Sequence, residues 1–248
     1  MNSTVSAALR KILPRVVVDR IRQWRLRRLR MANADRPIAE VFGEIYARNM
    51  WGSEDGDSLS GSGSTPSQAA AYSDFVREFV ARHAIRTVVD LGCGDYRVGR
   101  MLRVPGVKYV GVDIVPTVIE RNRARHGDDL TEFICLDFLR DPAPPGDLCL
   151  VRQVLQHLSN AEIATALKRL GGYRFALVTE HLPAPDSLTV PNLDKPHGSD
   201  TRVVDGSGVF LDRPPFSMRV EIALESPVEA PLAEPGEILR TVLLVGGP

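Results

Sequence analysis

The chain has 248 residues, 31 of them basic and 31 acidic, with 44% hydrophobic and 25% charged side chains. This balance excludes a wholly disordered chain, a collagen-like repeat and a disulfide scaffold, and it suits one domain of about 200 residues with appendages. No apolar run reaches the ~20 residues that a membrane-spanning helix needs. Arginines interrupt the apolar residues at the N-terminus, where a secretory leader would be continuous. Cys93, Cys135 and Cys149 are scattered and odd in number, a pattern of reduced thiols in a cytoplasmic protein.

The zero net charge conceals an asymmetry. Residues 1–30 hold nine basic groups against Asp19, so the remainder carries eight net negative charges. An acidic body is a poor match for nucleic acid, whose affinity rests largely on phosphate neutralisation. Nucleic acid is therefore not expected as a partner.

Residues 1–31 read as a basic helical arm. Leu9, Ile12, Leu13, Val16, Val17, Ile21 and Trp24 recur at roughly helical spacing, with a kink near Pro14. Two uses compete: the stripe packs on the body, or it makes a peripheral contact with anionic lipid at the inner membrane face or with a partner protein. Residues 32–84 follow, with a helix over Ile38–Arg48, then Trp51 and a Gly/Ser-rich stretch from Gly52 to Ser64. That stretch is either a linker or a lid over a site. A second helix is predicted over Pro66–His83.

Residues 85–248 form the core. Apolar runs at Thr87–Leu91, Lys108–Val112, Glu132–Leu136, Asp147–Val151 and Arg174–Thr179 predict buried strands. Helices are predicted between them near Arg97–Leu102, Val115–Arg125 and Ala161–Leu170, the last capped by Ser159 or Asn160. The Pro-rich connection Leu139–Gly146 carries no helical pattern. This alternation predicts an α/β, doubly wound, mostly parallel sheet. After a long polar loop from about His181 to Pro215, strands over Met218–Glu225 and Glu237–Val245 suit an antiparallel hairpin that completes the sheet.

The chemistry concentrates at Val88-Val-Asp-Leu-Gly-Cys-Gly-Asp95. A buried strand ends in a carboxylate, and a tight Gly-x-Gly turn follows, where a ligand can approach the backbone closely. Asp113 ends the next strand, where an acid can accept hydrogen bonds from ribose hydroxyls. Asp137 and Phe138 end the third, a polar group beside an aromatic face suited to adenine. A dinucleotide fingerprint is not matched, because the third glycine, Gly99, comes two places late. An acid at Asp95 would also repel a pyrophosphate, which disfavours a nicotinamide dehydrogenase. A cofactor with a positive centre and no phosphate, such as S-adenosylmethionine, explains the acids better.

These residues, with the segment Asp147–Leu158, resemble a class I S-adenosylmethionine-dependent methyltransferase over about residues 86–180, and the terminal strand pair extends the likeness. The resemblance implies a Rossmann-like seven-stranded sheet and methyl transfer from S-adenosylmethionine. It implies that Asp90, Gly92 and Gly94 line the methionine portion, that Asp113 takes the ribose and that Asp137 and Phe138 flank adenine, with Asp95, Ile114 and Gln153 also among the cofactor-binding residues. Trp51-Gly52, the Ser-Gly-Ser-Gly-Ser run and Arg213-Pro-Pro-Phe216 also resemble a bacterial subgroup without assigned substrates, some of whose members are associated with glycan or secondary-metabolite pathways.

For the acceptor, a hydroxyl benefits from a general base. His157, just beyond the fourth strand, is the leading candidate, and Glu180 and His181 at the end of the fifth are expected to face the same cleft. The expected acceptor is a small molecule or carbohydrate-like, methylated at oxygen. Amino-methylating nucleic-acid enzymes of this superfamily carry an Asn/Asp-Pro-Pro-Tyr/Phe segment where this chain reads Val151-Arg-Gln-Val154. The loop residues His181, Asp194, His197, Asp200 and Asp205 mix imidazole and carboxylate, but polar loops often look so without binding an ion, and no metal is assigned. Asn192, Lys195 and Arg202 of that loop are alternative contacts for a sugar-like acceptor. The rival function is a non-catalytic methyltransferase-like module recruited by its basic arm.

Overall fold

The computed structural model describes residues 15–54, 56–229 and 233–245. Leu9, Ile12, Leu13 and the kink expected at Pro14 lie outside them. Helix α1 (Arg15–Asn33) and helix α2 (Ile38–Ala47) lead into a small antiparallel hairpin, β1 (Ser53–Glu54) and β2 (Asp57–Ser58), and a 3-10 turn at Ser62–Ser64. Helix α3 (Pro66–Arg82) begins with Pro66 at its first turn and Thr65 as cap, whose hydroxyl accepts from the Gln68 amide. The Gly/Ser stretch is thus folded. Asp57 pairs with Arg125, and the Ser58 carbonyl accepts from Arg121, which fastens the hairpin to the body.

The core sheet has seven strands: β3 (Thr87–Leu91), β4 (Lys108–Asp113), β5 (Thr131–Cys135), β6 (Leu148–Arg152), β7 (Phe175–Leu182), β8 (Val220–Pro227) and β9 (Ile238–Leu244). Their order is β5-β4-β3-β6-β7-β9-β8. The first five run parallel; β9 enters antiparallel beside β7, and β8 pairs antiparallel with β9. This is the Rossmann-like doubly wound sheet with an antiparallel terminal hairpin. Helices α4 (Pro116–His126) and α5 (Asn160–Leu170) form two of the crossovers. Ser159 caps α5 reciprocally with Glu162, a capping box.

Side chains alternate across the strands, so each face has its own core. Val88, Leu148, Leu150 and Leu177 pack with Tyr72, Val76 and Phe79 of α3. Val89, Cys149, Val151 and Val178 pack with Val41 and Ile45 of α2 and with Ile163 and Leu167 of α5. Each fully buried Leu or Ile stabilises the fold by ~1.5–3 kcal/mol. After β3 the chain turns to β4 on one side, and β6 later returns to its other side. The switch point therefore lies between β3 and its neighbours, and a ligand crevice is expected beyond their carboxyl ends.

Two expectations need correction. The helix expected over Arg97–Leu102 is a single 3-10 turn, Gly99–Leu102. Tyr96 has φ 65°, outside helical space, and its buried ring packs tilted against Tyr109 and edge-on against Phe133. Strand β7 does not stop at Thr179 but continues to Leu182, with Glu180 opposite Arg240 and His181 opposite Leu239 of β9.

The long loop after β7 is packed rather than open. The fully buried Arg202 guanidinium donates to the carbonyls of Leu155, Gln156, Leu158 and Leu193 and to Asn160 Oδ1. Asn192 accepts from the Phe210 amide and donates to the Phe210 and Pro214 carbonyls. Lys195, also buried, donates to the Pro196 carbonyl and lies 3.7 Å from Asp200. These three side chains knit the loop together, so they are not free to contact an acceptor.

Candidate cofactor and acceptor site

A cavity opens at the switch point, where a ligand site is expected in such a sheet. One half is built at strand ends. Asp90 in β3 accepts from the Tyr109 hydroxyl at 2.6 Å, and burial raises its pKa to about 6 against that bond and the pull of Arg152. Asp113, the last residue of β4, accepts from the Gly94 and Val115 amides, both at 3.0 Å, while burial pushes its pKa up. Both carboxylates face the cavity, and their bonds go to neutral donors. A buried carboxylate in that state favours a positive centre or hydroxyl donors as its neighbour.

The turn between them depends on its glycines. Gly92 has φ 82° and Gly94 φ 54°, and an added Cβ would collide with Val154 at the first and with Ser60 Oγ at the second. Ile114, Asp137, Phe138 and Gln153 also line the cavity. Gln153 has φ 55°, a strained value for a non-glycine residue, and its side-chain oxygen accepts from Arg152 at 2.9 Å. Asp95 is placed differently. Its carboxylate accepts from the amides of Ser60 and Arg97, and its own amide donates to Ser60 Oγ at 2.8 Å. It clasps the Gly/Ser segment and is not among the lining residues.

The other half is apolar and aromatic, drawn from segments far apart in the chain. Ile38, Phe42 and Tyr46 come from α2, Trp51 and Ser60 from the segment after it, and His157 and Leu158 from the turn after β6. Trp51 packs tilted against His157 with centroids 4.9 Å apart, and Tyr46 meets Trp51 edge-on. Segment 198–199 fixes both rings: the Ser199 carbonyl accepts from Trp51 Nε1 at 3.1 Å, and the Gly198 carbonyl is 3.1 Å from His157 Nδ1. With the proton on Nδ1, His157 Nε2 is an acceptor, 3.3 Å from the Gln156 amide nitrogen. Burial, helped by Lys195, lowers the His157 pKa to about 3, so the ring is neutral at physiological pH.

Glu180 and His181 do not reach this cavity. Both lie within β7 rather than beyond its end. Glu180 turns beneath the residue 155–157 turn, accepting from the Leu155 and Gln156 amides at 2.9 and 3.0 Å. Burial pushes its pKa up to about 8, while those amides and Arg202 pull the other way. It is a positioning residue for the turn that carries His157. His181 pairs with Glu237 at 2.8 Å. The remaining loop acids and imidazole are also committed elsewhere: His197 to Glu162, Asp200 and Asp205 to Arg30, and Asp194 to the Asn160 amide.

Sequence reasoning missed Arg152 and Tyr72. Arg152 ends β6 in the cavity wall, donates to the Gly63 carbonyl at 2.8 Å and stacks over Tyr72. Arg152 Nε and the Tyr72 hydroxyl are both buried without a protein partner. An arginine closing an otherwise apolar strand was the available signal.

Carboxylates at successive strand ends, a glycine turn and a seven-stranded sheet with an antiparallel penultimate entry define the class I methyltransferase fold, whose cofactor is S-adenosylmethionine. Its sulfonium, ammonium and ribose hydroxyls suit the buried acids Asp90 and Asp113. Comparison with known proteins agrees: residues 88–172 match the family model described as "Methyltransferase domain". Those residues, about a third of the chain, thus carry a methyltransferase domain. The chain is similar to the small RNA 2'-O-methyltransferase of Mus musculus, at 35% identity over 126 residues. That match covers 48% of this chain and spans only 28% of the length of that relative. Among solved structures, the N-methyltransferase NodS of Bradyrhizobium japonicum WM9 with bound S-adenosyl-L-homocysteine has TM-score 0.53 and 14% identity, covering 81% of this chain and 98% of that one. The magnesium protoporphyrin IX methyltransferase of Synechocystis PCC 6803 with bound SAM has TM-score 0.52 and 14% identity, covering 86% and 99%. At that identity the likeness is one of fold.

Proposed function

We propose that this chain transfers a methyl group from S-adenosylmethionine to a hydroxyl of a small, ring-containing acceptor, carbohydrate-like in size. The observation that carries this reading is the single cavity with buried acids on one side and the Trp51–His157 wall on the other. S-adenosylmethionine, when bound, supplies an electrophilic methyl group on a positively charged sulfur. Asp113 would hold the ribose, Asp90 and Arg152 would flank the amino-acid end, and Asp137 and Phe138 would border adenine. The protein's own work is alignment and exclusion of water, which can supply much of the acceleration of an in-line displacement. Trp51 offers a flat face for a ring. His157, neutral and fixed by Gly198, orients the acceptor hydroxyl beside Trp51; with its pKa held near 3 by burial the imidazole is too weak a base to take the proton, which passes to solvent as the oxygen–carbon bond forms. The segment from Gly52 to Ser64 serves as a lid, clasped by Asp95 and Arg152.

A second reading, a 2'-hydroxyl of a small RNA, is favoured by the name of the mouse relative, and the acidic body argues against it. Incubation with methyl-labelled S-adenosylmethionine and separate panels of monosaccharides, glycolipids, phenols and short RNAs tests the choice. Label is expected in a hydroxyl-bearing small molecule. Label in RNA alone would select the second reading. Cofactor binding without transfer to any panel would favour the non-catalytic alternative.

A further inference from the structure

We propose that the outward face of α1 is a seat for an anionic lipid bilayer. Helix α1 carries seven arginines against Asp19. Its two long faces have different partners. Leu26 and Leu29 are half-buried, Asn33 is buried, and Arg30 donates to Asp200 at 2.7 Å and also to Asp205. That face holds the helix on the body. On the opposite face Val17, Ile21, Trp24 and Met31 are exposed, Trp24 at 56% and Met31 at 78%. At the helical repeat these four fall within ~80° of arc, so they form one stripe rather than scattered exposures.

Charge selects the occupant. Arg20 and Arg27 border the stripe on one side and Arg25 on the other, and all three are exposed. Arg28 lies within the stripe, its guanidinium 4.9 Å from the centre of the Trp24 ring. A narrow apolar stripe with an indole and cations along both edges matches a bilayer interface: the ring enters the headgroup boundary while the arginines meet lipid phosphates. The stripe is too short and too charged to span, and no described helix is long and apolar enough to cross a membrane. Arg30 fixes the orientation of this seat, because Asp200 adjoins the Gly198–Ser199 segment that holds His157 and Trp51.

Co-sedimentation of the full chain with phosphatidylcholine vesicles, and with vesicles that also contain phosphatidylglycerol, tests the proposal. Binding is expected to be at least tenfold tighter to the anionic vesicles and to weaken with added salt. Replacing Arg20, Arg25, Arg27 and Arg28 together by Gln should lower it at least tenfold, and Trp24→Ala should lower it severalfold. Circular dichroism and affinity for S-adenosylmethionine should stay unchanged in both variants, which separates this test from the one on methyl transfer. Brominated lipid tails should quench Trp24. Equal binding to neutral and anionic vesicles, an Arg-to-Gln variant that binds like the parent, or short RNA displacing the chain from vesicles at equimolar charge would overturn it.

Discussion

The two halves of the cavity are built on different plans. The cofactor half comes from strand ends that neighbour one another in the sheet: Asp90 and Asp113 lie 23 positions apart, and their geometry is held by backbone amides and one tyrosine. The acceptor half is assembled from α2, the Trp51 region, the turn after β6 and the distant 198–199 segment. In the first, the sheet does the positioning, so its tolerance of change is set by the core. In the second, a few backbone carbonyls hold two aromatic rings, so single contacts matter more. On this difference, cofactor binding and acceptor choice are expected to respond to separate substitutions.

The largest effect should come where the two halves touch. Gly94→Val places a branched Cβ at φ 54° against Ser60, so it should cost about 2–4 kcal/mol of stability. Urea unfolding measures this, and a loss below ~1 kcal/mol would mean that the glycine turn and the lid are independent. Trp51→Ala comes next. It should raise acceptor KM at least tenfold and leave cofactor affinity within twofold; equal losses in both would mean that the halves are one unit. His157→Gln keeps a hydrogen-bonding side chain without the imidazole, and it should lower kcat about tenfold, through lost alignment, at unchanged cofactor affinity. Because the folded-state pKa of His157 is near 3 and its ordinary value near 6.5, the ring contributes stability above pH 6.5 that is lost as pH falls toward 3. The variant should show a shallower acid limb in urea titrations at pH 4 and pH 7. The smallest effect belongs to Glu180→Gln. With its folded pKa raised to about 8, Glu180 contributes stability that is full below about pH 4.5 and declines as pH rises through 8. The variant should lose that decline while turnover changes less than in His157→Gln.

The sheet was legible because its strands are short, apolar and bounded by turns, and all seven occur within a few residues of where their patterns lie. The acids were legible by position: Asp113 closes β4, Asp90 stands one place before the end of β3 beside the glycine turn, and Asp137 follows β5. Glu180 and His181 misled because two further polar residues can still be strand. Pairing with β9, a partner more than fifty residues later, extends β7 past Thr179, and local pattern carries no trace of it. Asp95 misled differently: it sits in the motif, but a serine thirty-five residues upstream claims its carboxylate. The stripe of α1 was visible as spacing, whereas the direction it faces was settled by Arg30 reaching Asp200 across the fold. Val17, Ile21 and Trp24 accordingly point away from the body rather than packing on it.

Isothermal titration of the full chain with S-adenosylmethionine, alongside Asp113→Ala, tests the central claim most directly. Binding by the parent chain is expected, weakened at least tenfold in the variant, with no heat from NAD. Absence of binding by the parent, or an affinity untouched by the loss of Asp113, would contradict it.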